Sequence, residues 1–455
     1  MWNYTLHWRK SNAYFYGMTA TQVAFIILTI ISFGFFGFTI YRLVKIFKIT
    51  KPEFRFDHIG QRIVTTIMVA FGQTKMMKRP VAGILHALVW WGFLVITIGS
   101  LEMMIDGITG STRTLSFLGP FYSFVTASGD IFALLIIISC VIFLWRRYVI
   151  KPRRLKGIEM KPSSRADATF ILSLILILMV TLLGMNTAYL ASDLNDFTGA
   201  FPVSYYLTPF LSSHGPEQII AIEKTSWWIH ITIIYFFLNF LPYSKHFHVI
   251  ASVPNVFFTR MEPYAKLNNM ESVTHEVKLM LNMAEQTSDV PPPQRFGVKD
   301  VEDVTWKTLL DSYTCTECGR CTAVCPANIT GKLLSPRKLF VDLRRRAKDK
   351  APGIIKTGSS FSDGKSVIGP DYISEEELWA CTTCMACIEE CPVDIDHVPF
   401  IVNMRRNLVM EESKVPSQLA AMFSNIENNG APWAFARSDR FNWAYDIETK
   451  SVTNS

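Results

Sequence analysis

Eight of the nine cysteines fall between Cys315 and Cys391, in two runs with one spacing. The first is Cys315-x-x-Cys318-x-x-Cys321-x-x-x-Cys325-Pro326; the second is Cys381-x-x-Cys384-x-x-Cys387-x-x-x-Cys391-Pro392. Three thiolates two residues apart wrap a tight loop around one face of an iron–sulfur cube, and the fourth leaves on the following turn. Where two such runs occur, the fourth cysteine of each ligates the other cluster. The spacing therefore predicts two [4Fe-4S] clusters, one on Cys315, Cys318, Cys321 and Cys391, the other on Cys381, Cys384, Cys387 and Cys325. A pair of CxxC motifs can hold one tetrahedral zinc ion, but the duplicated third and fourth cysteines exceed what zinc needs. Disulfides belong to oxidising compartments, and the charge pattern below puts this half of the chain in the cytoplasm. Cys140, alone in an apolar run, reads as a small core filler.

Histidine inside apolar sequence is the second chemical signal. Ionisable groups within a bilayer are costly and are functional candidates by default; His86, His230 and His248 qualify. Five apolar segments must position them, near 19–44, 81–104, 122–146, 166–190 and 225–243, each close to the roughly 20 residues of a spanning helix. Of the 455 residues 49% are hydrophobic and 18% charged, against about a quarter charged in soluble domains, which excludes a disordered or wholly soluble chain. The first segment starts too late and runs too long for a signal peptide. Lys and Arg crowd the connections 42–79 and 146–165, whereas Arg113 and Lys224 stand alone in the other two. The positive-inside rule then places the N-terminus outside and everything after about 244 in the cytoplasm of a multi-pass cell (inner) membrane protein. Trp227 and Trp228 suit the outer interfacial belt. Topology thus explains the formal net charge of +7, and nucleic acid is not a partner.

His86 lies near the cytoplasmic end of the second segment and His248 just past that end of the fifth. Equal depth on different helices is what the two axial ligands of one b-type haem need. His230 is separated from His248 by roughly 27 Å of helix at 1.5 Å per residue, so these two cannot share an iron. His230 is either a ligand of a second haem, with Met103 or Met104 at a suitable height, or a packed interhelical polar residue. His7, His58, His214, His246, His275 and His397 read as surface or loop residues, with His246 close to His248 in sequence.

The stretch WIHITIIYFFLNFLPYSKHFHVIASVPNVFF (228–258) resembles the last membrane helix of the cytochrome b subunits of respiratory nitrate reductases, and GILHALVWWGFLVITIGS (83–100) resembles their second helix. The resemblance implies that His86 and His248 bind the inner haem. It also implies an outer haem pairing the His230 position with a second-helix histidine, where this chain has Ile96, so one haem b is expected. After residue 258 the composition turns polar, and the Pro-rich segment 288–300 reads as a semi-rigid linker. Ser335 before Pro336 opens a helical pattern, and the 55 residues between the motifs point to an α-helical ferredoxin similar to the iron–sulfur subunits of succinate dehydrogenases and heterodisulfide reductases. Lys332, Lys338 and Arg344–Arg346 form either a solvated helix face or a docking surface for an acidic carrier.

The order of modules resembles membrane-bound iron–sulfur oxidoreductases related to heterodisulfide reductase, some of which connect electron-transfer flavoprotein to menaquinone. GAPWAFARSDRFNWAYDIE (430–448) is similar to the junction leading into their catalytic domain, and no Cys-Cys-Gly follows it. The expected fold is all-α: an external N-terminus (1–18), a five-span haem b domain (19–250), a linker (251–299), a two-cluster ferredoxin domain (300–410) and a subunit-docking tail (411–455). The expected function is electron transfer between a cytoplasmic partner, the clusters, haem b and menaquinone or ubiquinone, with a Cys-Cys-Gly-type or flavoprotein subunit on another chain. The alternative is a redox-sensing or scaffold protein without quinone turnover. No residue reads as a general acid, nucleophile or Rossmann-type flavin site.

Overall fold

A computed structural model describes residues 14–15, 18–155, 157, 162–192, 198–283, 295–358 and 360–447. Thr19 caps the first long helix by accepting from Gln22 N, and α1 runs Ala20–Phe47. Proline at the first turn, where a missing N–H costs nothing, opens α2 (Pro80–Thr109), α3 (Pro120–Trp145), α4 (Pro162–Ser192) and α5 (Pro216–Phe240). These five helices match the five apolar segments, each longer by up to a few turns where polar ends continue the helix. Among the described residues four helices, α1 to α4, are long and apolar enough to cross a membrane. In α5 the charged Glu217, Glu223 and Lys224 interrupt the apolar run.

After α5 the chain breaks into two short turns at Leu241–Tyr243 and Lys245–Phe247 before α6 (His248–Phe257). Ser244 sits extended between them; its hydroxyl donates to Asp167 of α4 at 2.8 Å and accepts from His246 N. The break lets His248 open a new helix on the polar side of the bundle. Strand structure among the described residues is one two-residue pair, Tyr14–Phe15 with Met18–Thr19.

The described chain divides into two units, Met1–Leu267 with Asp300–Pro399, and Asn268–Lys299 with Phe400–Ser455. The first joins the long helices to the cysteine module, whose core helices are α7 (Trp306–Thr314) and α8 (Pro336–Thr357). Ser335 caps α8 by accepting from Lys338 N, as the Ser-Pro sequence predicts. In the second unit, residues 296–299 run beside the helix of residues 400–410: Val298 N donates to Asn403 O at 2.9 Å and Asn407 Nδ2 to Phe296 O at 3.1 Å. Most of the Pro-rich run, 288–294, lies outside the described residues.

Candidate functional site

Both cysteine runs fold alike. The residues on either side of the second cysteine take positive φ in each, Glu317 and Gly319 in the first run, Thr383 and Met385 in the second. Each third cysteine then lies in a single helical turn, Arg320–Ala323 or Ala386–Glu389. This left-handed kink turns three successive thiols toward one side. All eight cysteines are free of disulfides. Burial pushes the Cys315 thiol up to about 11 and the Cys387 thiol up to about 12, and raises Cys321 and Cys391 as well. A thiolate there requires a compensating cation, which cluster iron supplies.

The electrostatic neighbours of each thiol sort the cysteines by pairing. Cys321 senses Cys318, Cys391, Cys315 and Cys387, and Cys391 senses Cys318. Cys325 senses Cys381 and Cys384, and Cys387 senses Cys381, Cys325 and Cys384. The fourth cysteine of each run thus has neighbours in the other run, Cys391 near Cys318 and Cys321, and Cys325 near Cys381, Cys384 and Cys387. Among the described residues no three His, Cys, Asp or Glu side chains close to metal-holding distance, so the sets rest on these neighbourhoods and on chain order. Backbone N–H groups of Ile395 and Thr383 point at the sulfurs of Cys391 and Cys381 at 3.4 Å, bonds of the kind that tune cluster potential.

The rings of His86 and His248 stand together. The ring centres of His86 and His248 are 6.4 Å apart, with their planes inclined by 32°. With a metal about 2 Å from each ligating nitrogen, ring centres on opposite faces of one iron stand roughly 6 Å apart. Each ring is held from behind through Nδ1, which donates to Gln73 Oε1 from His86 (3.0 Å) and to Lys245 O from His248 (3.2 Å). That bond fixes the tautomer and leaves Nε2 as the lone pair for metal. The residues present therefore fit a bis-imidazole haem.

Sequence reading missed Gln73, which has no apolar context or motif to mark it. It is buried, in a left-handed turn (φ 55°), and its Nε2 donates to Ala70 O at 2.6 Å, so its Oε1 must face His86. Arg62, 1% exposed, ties this segment to α6 by donating to Phe257 O and Thr259 O.

His230 is placed elsewhere. It is buried on α5, its Nδ1 within 3.0 Å of Leu178 O and 3.1 Å of Thr181 Oγ1. It forms part of the wall of a cavity of about 500 Å³ between α1, α2, α3, α4 and α5. Met103 and Ile96 line the same cavity. His397 corrects the surface reading: it is 1% exposed, donates from Nδ1 to Ile395 O and stands edge-on to Phe340 at 5.1 Å.

The docking-face reading of the basic residues on α8 is also corrected. Arg346 is fully buried between Asp300 (2.7 Å) and Asp363 (2.5 Å). Arg344 donates to Cys315 O and pairs with Glu317, and Lys338 pairs with Asp342 and Glu377. A run of Lys and Arg in sequence does not reveal acids brought to it from elsewhere. Lys332 alone of that set is exposed.

Among the contacts between the long-helix bundle and the cysteine module, one set surrounds the loops of Cys318 and Cys391. Arg154 donates to Cys318 O at 2.9 Å, Lys245 and Ser164 reach Glu317, and Asn255 donates to Val393 O. Glu390, beside Cys391, is gripped by Arg79 (3.0 Å) and Arg320 (3.1 Å), while Lys75 pairs with Asp394 and Lys78 with Glu389. Gly319 is required at this seam: a Cβ there would stand 2.4 Å from Arg154 O. In the second cysteine run Thr382, Thr383 and Cys384 are exposed.

Residues 314–395 match the model of the 4Fe-4S dicluster domain. The chain is 32% identical over 468 residues to the probable iron-sulfur-binding oxidoreductase FadF of Bacillus subtilis, a match covering 96% of this chain and 63% of that protein. It is 28% identical over 457 residues to the EtfAB:quinone oxidoreductase of Syntrophomonas wolfei, covering 94% of this chain and 60% of that one. A probable membrane-anchored ferredoxin of Chromohalobacter salexigens is 39% identical over 166 residues, 34% of this chain and 25% of the other. The chain thus spans less than two thirds of the length of the first two relatives. No solved structure matches it. Fold and site define a mostly helical protein with four membrane-type helices and a 4Fe-4S domain. Its relatives are iron–sulfur oxidoreductases.

Proposed function

We propose that this chain is the membrane-anchored electron-transfer part of a quinone-linked oxidoreductase. It carries electrons between a cytoplasmic partner, two [4Fe-4S] clusters on the crossed cysteine sets, haem b on His86 and His248, and a menaquinone or ubiquinone in the bilayer. The partner is a flavoprotein or Cys-Cys-Gly-type module, with electron-transfer flavoprotein as one donor consistent with the printed name of the Syntrophomonas relative. Helix α5 is the fifth span, and the N-terminus lies outside. One observation carries the reading: two imidazoles from different helices face each other at 6.4 Å with both Nδ1 atoms held. A haem held by both imidazoles would have no position left open, which would suit electron transfer over oxygen chemistry.

The chain's own residues set the order of the route. Lys75, Arg79, Arg154 and Asn255 hold the Cys315–Cys391 cluster loop against the bundle end that bears His86 and His248. The Cys381–Cys325 cluster, with Cys384 at the surface, then faces the soluble partner. When bound, clusters and haem supply one-electron steps; the protein positions them and excludes water. The test is anaerobic addition of a short-chain menaquinol or ubiquinol to the purified full chain in detergent. Appearance of a reduced b-type absorption band is expected; haem that quinol never reduces, with quinone never oxidising it, would overturn the reading.

A further inference from the structure

The cavity walled by His230 lies at the far end of the bundle, with Ile96 where an outer haem would need a second histidine. It begins at Val95 and Ile96 of α2, about 14 Å up that helix from His86 at 1.5 Å per residue. Its walls include apolar and aromatic side chains, Phe25, Trp227, Trp228 and Leu182 among them. Its volume of about 500 Å³ is within the range of small-molecule sites, which are mostly apolar with a few convergent polar groups.

Those polar groups differ in their engagement. Asp106 is occupied in fixing the α2–α3 turn, accepting from Arg113 N and Thr114 N. Asp130 is occupied in capping the turn at 203–204, accepting from Val203 N and Ser204 N. Glu102 also braces the α2–α3 connection, and its second oxygen links on to another titratable side chain. It is 6% exposed, and it accepts from Leu115 N at 2.9 Å and from the Tyr122 hydroxyl at 3.1 Å. Tyr122 in turn accepts from Arg113 Nη1 at 3.3 Å. Arg113 lies over the rings of Tyr189 and Phe201, at 4.2 and 4.8 Å. Arg113, Tyr122 and Glu102 thus form a continuous hydrogen-bonded chain from the α2–α3 connection to the cavity wall. Across the cavity, the Nδ1 bond of His230 to Leu178 O leaves Nε2 as that ring's acceptor.

We infer that this cavity binds the quinone head group, with Glu102 and the Tyr122 hydroxyl as its proton relay, Arg113 orienting that hydroxyl as a fixed donor, and His230 Nε2 as acceptor for a quinol hydroxyl. The inference rests on the quinone-linked reading above and deepens it. In the reducing direction, the quinone takes two electrons, one at a time, from the chain's one-electron centres, and two protons through Glu102, so that both carbonyl oxygens end as hydroxyls. The reverse direction returns both to the same groups.

Two bare backbone positions make the site testable without touching its polar groups. Gly99 and Gly129 line the cavity, and a Cβ built on either meets nothing within 4 Å. Binding is read by fluorescence quenching of 2-heptyl-4-hydroxyquinoline N-oxide, a quinone-shaped probe, titrated into the haem-loaded full chain in nanodiscs. Wild type is expected to saturate at one site per chain, and Gly129→Leu and Glu102→Gln to weaken binding roughly tenfold or more with the haem spectrum unchanged. Gly99→Leu repeats the block from another wall if Gly129→Leu loses haem. Unchanged probe affinity in the spectrally intact variants would overturn the cavity as the site while leaving the quinone-linked reading standing. A wild type that neither binds the probe nor exchanges electrons with quinol would instead remove that reading.

Discussion

At the scale of single residues, the chemistry depends on buried groups held in one protonation state by their neighbours. Burial lowers His397 to about 4, against the donated bond to Ile395 O that favours its charged form. Because the folded value lies below the ordinary 6.5, the unfolded chain binds more protons at mildly acid pH. The contribution to stability is therefore full above about 6.5 and is lost as pH falls toward 4, on the order of a few kcal/mol in all. Thermal unfolding of cluster-loaded protein between pH 7 and 5 should show this slope, and His397→Leu should flatten it; a variant with the same slope would contradict the assignment. Sequence could not reveal this residue's burial, because a histidine near the start of a helix carries no mark of what packs over it. Gln73 escaped for a related reason: its role depends on the left-handed turn that aims it at His86, and isolated glutamines in loops are usually solvated. The grouping of the cysteines and the meeting of His86 with His248 were legible because spacing and position along apolar helices are themselves what brings such residues together.

At the scale of elements, α8 is the spine of the cysteine module, and its start was readable from Ser335-Pro336 while its charge was not. The Arg344–Arg346 run looks solvated in sequence, yet Arg346 is enclosed by Asp300 and Asp363, and Lys350 joins Asp300 at 2.8 Å. A buried pair contributes little over an apolar substitute, but removing one partner leaves uncompensated charge and costs about 3–5 kcal/mol. Arg346→Met should accordingly lower the unfolding midpoint of the full chain sharply and reduce cluster retention. The exposed Lys332→Met should change neither. Comparable midpoints for the two, measured by calorimetry on the same preparation, would show that the network is not structural. The five apolar helices were legible within a few residues at most ends, since a bilayer-length apolar run is a coarse and robust signal. The break between α5 and α6 was not, because it is set by Ser244 meeting Asp167 of another helix.

At the scale of the whole molecule, the two cysteine loops have different neighbours. Ion pairs from the bundle grip the loop around Cys391 and Cys318, and Cys384 of the other cluster stands in solvent. Arg79 is outside both ligand loops, so Arg79→Glu should leave cluster content intact while slowing haem reduction by pre-reduced clusters, by roughly tenfold or more where loss of positioning misplaces the centres. Stopped-flow absorbance reads the rate, and Arg79→Lys, which keeps the charge facing Glu390, should retain most of it. An unchanged rate in Arg79→Glu would mean the clamp does not set the electron route.

The account stands on one pair of imidazoles. Reduced-minus-oxidised optical spectra of the anaerobically purified full chain, wild type beside His86→Ala and His248→Ala, test it most directly. The expected result is a low-spin b-type α-band in wild type and its loss in either variant, with the iron–sulfur absorption retained in all three. A full band surviving in both variants, or a wild type with cluster absorption and no porphyrin, would contradict it.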